Sequence, residues 1–489
     1  MIRMLVVLIV LLLDSSHVHA QTPAAARPNI VLILCDDLGQ GDLGCYNAAS
    51  KTPTPHMDAL AKQGVRFTDM HTPSSVCTPT RYGLLTGRYC WRSKLKSGVL
   101  HGHSPALIEA DRLTLPAMLR SAGYRTGGFG KWHLGLGEGP KVDYAKVFKP
   151  GPLDYGFDEY FGIPASLDMD PYVWIVNDRA EKEPTETIPA SKHRREGGGG
   201  FWRGGGIAPG FKHIDVLPRI TENAIDFIDR SAKASEGNTA KKPFFAYVPL
   251  TSPHTPWMPT DEWMKTSKIG YYGAFVSMTD DAIGRIVAAL ERNKVADNTL
   301  VIVTSDNGSH WPVEDVQKWD HKANSDWRGQ KSDVHEGGHR VPFLVRWPGK
   351  VKAGSVSQQT GCLTDMIATL AQVAGQKLPG NAGEDSFDLS PAFLGADGGK
   401  TIRPAVVHHS GNGLFAIRSG EWKLIMGLGT GGFTKPANVK AKEGDPAGQL
   451  YNLEADPGET KNVYKENPEV VKRLAGLLEQ YKSQGFSNR

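Results

Sequence analysis

The chain predicts an α/β fold: a large doubly wound sheet of parallel or mixed strands sandwiched by helices, with a smaller antiparallel-sheet subdomain at the C-terminus. Three observations carry that expectation. Four continuous apolar runs each end in charged or polar residues, helical periodicities lie between them, and the pattern changes to short strands after about residue 389. Continuous apolar runs suit strands covered on both faces, whereas half-exposed strands alternate. Strands separated by helices give the βα alternation of a parallel sheet.

Residues 1–20 come first, with Arg3 as a positive start, an unbroken apolar run over 5–13, and Val18-His19-Ala20 as a cleavage point. That run is too short to span a bilayer, so it reads as a cleaved signal peptide. The mature chain is then expected to begin near Gln21, without a membrane anchor, in a periplasmic or secreted location. Residues 29–34 lead into Cys35-Asp36-Asp37, and 124–129 into Lys131-Trp132-His133. Residues 244–248 lead into Ser252-Pro253-His254, and 300–303 into Asp306-Asn307-Gly308. Helical patterns occupy 57–63, 115–122, 217–230 and 274–292. These elements place a catalytic domain over 21–388.

Within it, 168–212 carries Tyr172, Trp174, Lys192-His193-Arg194-Arg195 and the glycine-rich stretch around Phe201-Trp202-Arg203. It reads as a long loop, with aromatics able to stack on a ring and cations able to meet anionic groups, or as an insertion without function. The subdomain, 389–489, has strands at 414–418 and 421–425 across a Ser419-Gly420 turn, another at 449–453, and a helix at 468–484. His408 and His409 are near enough in that plan to reach the pocket, although adjacent histidines are more often structural.

At 489 residues, 40% hydrophobic and 22% charged, the composition is that of a folded globular protein with one large and one smaller core. A formal charge of +4 without basic runs argues against a nucleic-acid partner. Five cysteines are too few for a disulfide scaffold, and the odd number fits one reserved for chemistry, with Cys45 and Cys90 as a candidate bridge. The only Asn-x-Ser/Thr sequon is Asn307-Gly308-Ser309, which points to a bacterial protein.

Ligands of open α/β sheets bind beyond the carboxyl ends of the strands, where all four polar clusters fall. Each alone has a duller reading as a turn or cap; their common address is the argument. Asp36, Asp37, Asp306 and Asn307 offer only hard oxygen ligands, which selects calcium, or magnesium, over zinc. Arg81, Lys131, His133, His254 and Lys331 add cationic or protonatable groups, and together these describe a pocket for an oxyanion. Cys77, in Cys77-Thr78-Pro79-Thr80-Arg81, falls at a helix N-terminus. It is either a thiolate nucleophile or a half-buried structural cysteine.

The run Cys77-Thr78-Pro79-Thr80-Arg81-Tyr82-Gly83-Leu84-Leu85-Thr86-Gly87-Arg88 resembles the type I sulfatase signature, CxPxR followed by LLTGR. GKWHLG at 130–135, SPHTP at 252–256, SDNG at 305–308 and the 331–342 stretch are similar to further blocks of that family, in its order. FGIPASLD at 161–168 is similar to an arylsulfatase A-like block. The resemblance implies an alkaline phosphatase-like fold and hydrolysis of sulfate esters, with sulfated glycans or small molecules as substrates. It also implies that the 168–212 stretch lies over the active site and stacks on a sugar. It further implies that a maturation enzyme oxidises Cys77 in the unfolded chain to Cα-formylglycine. It assigns Asp36, Asp37, Cys77, Asp306 and Asn307 to calcium. Arg81 and Lys131 would support the aldehyde hydrate, and Ser166, Lys131, His254 and Lys331 would contact sulfate. His254 or Lys331 would protonate the leaving group and His133 would act as base. The alternatives are a phosphomonoester, phosphodiester or phosphonate hydrolase on the same scaffold, and a sulfoglycan-binding protein if Cys77 stays unmodified.

Overall fold

A computed structural model describes residues 27–192, 201–234 and 242–489; the predicted signal peptide lies outside the described residues. Ten strands form one mixed sheet: β1 (Asn29–Asp36), β2 (Val65–Phe67), β3 (Arg125–Lys131), β4 (Glu159–Ile163), β5 (Ile175–Val176), β6 (Arg179–Ala180), β7 (Phe244–Pro253), β8 (Thr299–Ser305), β9 (Phe343–Arg346) and β10 (Ser355–Ser357). Their spatial order is β10-β2-β9-β8-β1-β7-β3-β4-β5-β6. The block β8-β1-β7-β3-β4 is parallel, while β9 runs antiparallel to β8, and β5 and β6 fold back antiparallel at the far edge. Every residue of β1, β7 and β8 is buried, as continuous apolar runs require. Because β1 lies between β7 and β8, the polar residues that follow these strands emerge side by side.

Helices cover both faces. Helices α1 (Pro55–Gln63), α4 (Val216–Ala234) and α5 (Gly270–Arg292) contact one another in one layer. Helices α2 (Cys77–Thr86), α3 (Leu115–Ser121) and α6 (Met366–Val373) pack together in the other. Along α4, Leu217, Ile220, Ala224, Phe227 and Ile228 are buried at helical spacing, the stripe expected of a helix laid on a sheet. Helix α2 stops at Gly87, whose φ of 66° is left-handed and whose N–H closes on the Gly83 carbonyl. A Cβ at Gly87 would also lie 2.3 Å from Ile367 of α6, so the glycine of the LLTGR run serves both turn and packing.

The C-terminal sheet has four antiparallel strands in sequence order, β11 (Val406–His409), β12 (Phe415–Ser419), β13 (Trp422–Ile425) and β14 (Gln449–Asn452). Helix α7 (Pro468–Gln484) packs on β12 and β13 through Leu474, Leu478 and Tyr481. The sheet and helix share a second core with Val406, Val407, Ile417 and Leu450. Strand β11 was not expected from the sequence.

Two expectations are corrected. The 168–212 stretch is not a plain loop: it contains β5 and β6, and Glu186–Ile188 and Ser191–Lys192 pair with Gly205–Ile207 and Phe201–Trp202 respectively. So long a chain lying over a buried site must find partners for its backbone groups, and it does so as antiparallel ribbons. Cys45 and Cys90 are not bridged, and all five thiols are free.

The two cores meet at a buried polar network. Lys423 of β13 pairs with Glu336 at 3.0 Å and with Glu459 at 2.9 Å, and Arg418 of β12 with Asp69 at 2.6 Å. Arg340 pairs with Glu336 at 2.9 Å and also with Asp69. Among these groups His408 stacks on His339, centroids 3.8 Å apart, and His71 Nδ1 lies 3.1 Å from His339 Nδ1. Burial first, then neighbouring cations and imidazoles, holds all three histidines below the ordinary imidazole range. His408 and His409 are thus buried in β11 and line no part of the pocket described below.

The sign of the pH dependence follows. The folded histidines resist protons that the unfolded chain accepts near pH 6.5, so their contribution is intact above that pH and is lost as pH falls toward their folded values. Each group costs about 1.4 kcal/mol per pH unit there, and three together about 4 kcal/mol. For 489 residues that lowers Tm by about 4 °C per pH unit. Thermal melts between pH 8 and 5 should therefore be flat above 7 and fall below 6.5, less steeply in His408→Gln. An unchanged slope in that variant would contradict the assignment.

Candidate active site

The carboxyl ends of β1, β3, β7 and β8 and the N-terminus of α2 converge on one buried cluster. Asp36 ends β1, and Asp37 follows it with φ 64°, a left-handed conformation that aspartate tolerates better than most residues. His133, beyond β3, has φ 57°, and Ser332, beside Lys331, has φ 76°. Such backbone outliers gather at sites where the surroundings over-determine the chain.

Three carboxylates meet three cations. Lys131 Nζ donates to Asp36 Oδ2 at 2.7 Å. Lys331 Nζ lies 2.7 Å from Asp37 Oδ1 and 2.9 Å from Oδ2. Arg81 donates twice to Asp306 Oδ2, from Nε at 3.0 Å and Nη2 at 2.7 Å, and Nη1 reaches the Lys131 carbonyl at 3.1 Å. The guanidinium thus ties the ends of β8 and β3 together. Burial raises the Asp36 carboxyl, but Lys131, His254 and Arg81 outweigh it and hold the group well below the usual range. Asp306 moves upward, from burial and the Asp36 charge, against Arg81.

Asn307 Nδ2 donates to Asp37 Oδ1 at 2.7 Å, while its Oδ1 is buried without a hydrogen-bond partner among the described residues. One ligand atom each from Asp36, Asp37, Cys77 and His254 lies within 4.8 Å of the others. An orphaned amide oxygen beside clustered carboxylates fits a hard divalent cation. Lys131, Lys331 and Arg81 already offset the mutual repulsion of the three carboxylates. Asn307 can sit so deep because Gly308 follows it: a Cβ there would be 1.9 Å from the Gly337 carbonyl, so the Glu336-Gly337-Gly338 segment packs directly on this strand end.

Cys77 is the first residue of α2, with Sγ 3.6 Å from Asp36 Oδ1. Burial pushes its thiol up to about 12, more than Lys131 and Lys331 pull it down. That burial favours the protonated thiol and argues against the thiolate reading.

The cluster opens into a cleft of about 270 Å³ lined by Cys77, His133, Ser166, His254 and Lys331, among others. Ser166 Oγ lies 3.1 Å from Lys131 Nζ and 3.3 Å from His254 Nε2. His254 Nδ1 is 2.5 Å from the Thr255 carbonyl, which can only accept, so Nδ1 carries hydrogen and Nε2 faces the cleft. By the same logic His133 Nε2 donates to the Leu100 carbonyl at 2.8 Å, leaving Nδ1 as a buried, unpartnered lone pair. Burial and the Lys131 and Arg81 charges hold His133 neutral. Phe201 and Arg203 from the 168–212 region line the cleft, as the sequence expectation of a cover implied. Asp168, His310 and Phe433 also line it and were not anticipated. Phe433 stands 47% exposed with its ring 5.1 Å from that of His310, and no local pattern marked either.

Comparison with known proteins identifies this arrangement. The Sulfatase family model matches residues 28–376. The chain is 36% identical to N-acetylgalactosamine-6-O-sulfatase of Bacteroides thetaiotaomicron, over 94% of this chain and 93% of that protein. It is 34% identical to human arylsulfatase A, over 93% and 88%. A solved Bacteroides thetaiotaomicron structure from a glycosaminoglycan-metabolism locus superposes with a TM-score of 0.82 at 34% identity, covering 94% of this chain and 99% of that one. The chain belongs to the sulfatase family and is a sulfuric ester hydrolase.

Proposed function

We propose that the protein releases sulfate from sulfated carbohydrates, using formylglycine made from Cys77 and calcium, or magnesium, held by Asp36, Asp37, Asp306, Asn307 and position 77. The observation that carries this reading is the buried thiol at the floor of a cleft ringed by Lys131, Ser166, His254 and Lys331. N-acetylgalactosamine 6-sulfate is the first substrate to try, because the bacterial relative is named for that ester. We further propose maturation by a formylglycine-generating enzyme and export from the cytoplasm; no helix among the described residues is long and apolar enough to cross a membrane.

Hydrated formylglycine at position 77 would supply an oxygen nucleophile, and a divalent ion held by Asp36, Asp37, Asp306 and Asn307 would supply positive charge beside it. The ammonium groups of Lys131 and Lys331 and the Ser166 hydroxyl bind the sulfate oxygens as charge builds on them. His133 Nδ1, a neutral acceptor in the cleft that Cys77 also lines, would hold a proton released at that position. His254 donates from Nε2 to the departing oxygen, and its Thr255 contact keeps that nitrogen aimed at the cleft.

Two outcomes test these roles. Proton donation matters most for a basic leaving group, so His254→Ala should cost about 10²–10⁴-fold in kcat/KM on a sugar sulfate and far less on nitrophenyl sulfate. Equal losses would reduce His254 to a sulfate ligand. EDTA should abolish turnover and lower Tm only modestly, because Lys131, Lys331 and Arg81 already oppose the carboxylates. Ion binding at 100 times Kd stabilises by about 2.7 kcal/mol, which for this length is about 2–3 °C. Calcium or magnesium should restore both properties, and recovery with zinc alone would favour phosphate ester chemistry.

A further inference from the structure

Asp168 is the one carboxylate of the cleft that lies outside the ion-pair cluster. Its side chain is 6% exposed, and Arg203 Nη1 clamps Oδ2. The other oxygen, Oδ1, is buried and has no hydrogen-bond partner among the described residues. Burial raises this carboxyl, but His254, Arg203, Lys331 and Lys131 lower it further, so the acceptor is ionised. A buried charged oxygen left unpaired is costly, whereas one that meets a donor from a ligand gains a charge-assisted bond. Its position is specific: two residues beyond Ser166, in the cleft that His254 also lines. Phe201 and Phe433 provide apolar walls at the same cleft, suited to the face of a ring.

Resting on the sulfated-carbohydrate reading above, we propose that Asp168 is a substrate-positioning residue whose Oδ1 accepts a hydrogen bond from a neutral donor next to the sulfate ester. That donor is a sugar hydroxyl or an acetamido N–H. The substrate class is then a sulfate ester with an uncharged neighbouring group, and a second sulfate or a carboxylate at that position is repelled. Arg203 positions the carboxylate and does not replace the donor, because it approaches the other oxygen.

The test is a cycle between enzyme and substrate. Asp168→Asn and Asp168→Ala are assayed with wild type on a monosulfated sugar, on the same sugar lacking the neighbouring hydroxyl or amide, and on nitrophenyl sulfate. Loss of a hydrogen bond to a charged acceptor is worth about 10–100-fold in kcat/KM. The expected result is that loss on the intact sugar, at least tenfold greater than on the aryl ester. On the substrate lacking the donor, wild type should already be reduced and the variants reduced little further. A vicinally disulfated sugar should gain relative to the monosulfated one in Asp168→Asn. Equal losses on sugar and aryl esters, or losses that simply add for the donor-free sugar, would overturn the proposal and leave Asp168 as a wall of the pocket. If Asp168→Ala does not fold, the near-isosteric Asp168→Asn carries the comparison, with its Tm measured alongside. Failure of wild type to cleave any sugar sulfate would instead refute the carbohydrate reading.

Discussion

Charge balance among buried side chains at the base of an open cleft is the constraint on which the rest of the site depends. Asp36, Asp37 and Asp306 have essentially no exposure, and neither do their partners Lys131, Lys331 and Arg81. Each member alone would be an uncompensated buried charge, and removing one partner of such a pair costs about 3–5 kcal/mol. The parallel block makes the arrangement attainable, since β8, β1, β7 and β3 deliver their carboxyl ends to one edge and α2 enters between them. The cations are thus held on carboxylates before any substrate arrives. Groups held in place for developing negative charge need no reorganisation during the reaction, which is where enzymes gain most from electrostatics.

The same burial decides the chemistry of position 77. A helix N-terminus favours an anion by at most about 2 kcal/mol, and here that is outweighed, because the thiol is driven up to about 12. A protonated thiol is a poor nucleophile at neutral pH. In the proposed function a change in the residue's covalent chemistry makes the position reactive, and Lys131, Lys331 and His133 would serve an oxygen nucleophile there. The proposed metal donors follow the same logic: Asn307 Oδ1 lacks a hydrogen-bond partner among the described residues, as a ligand for an ion would.

Much of this was legible in the sequence because it depends on strand ends and spacing. Continuous apolar runs at β1, β7 and β8 disclosed a covered parallel sheet, and their terminal residues disclosed the site. Lys331 was different: by itself it reads as a solvated lysine, and only the family blocks around it said otherwise, yet its ammonium is buried on Asp37. Strand β11 escaped because its apolar content is just Val406-Val407 before two histidines, and those histidines are buried through contacts far away in sequence, His408 to Thr72 and His339 and His409 to Ser74. Phe433 and His310 escaped for a similar reason. They come from segments without periodicity and become neighbours only once the C-terminal region folds over the cleft. The ribbons of the 168–212 region could not be read because their pairing is set by the surface they cover rather than by alternation in their own sequence.

The central claim is that Cys77 is a precursor and not the nucleophile. The measurement that tests it most directly is the mass of tryptic peptide 67–81 from protein made with a formylglycine-generating enzyme, compared with sulfate release by the same preparations. Conversion of the thiol to the aldehyde lowers the peptide mass by about 18 Da, and activity should rise in proportion to the converted fraction. Full activity in a preparation whose peptide retains the thiol mass would contradict the account.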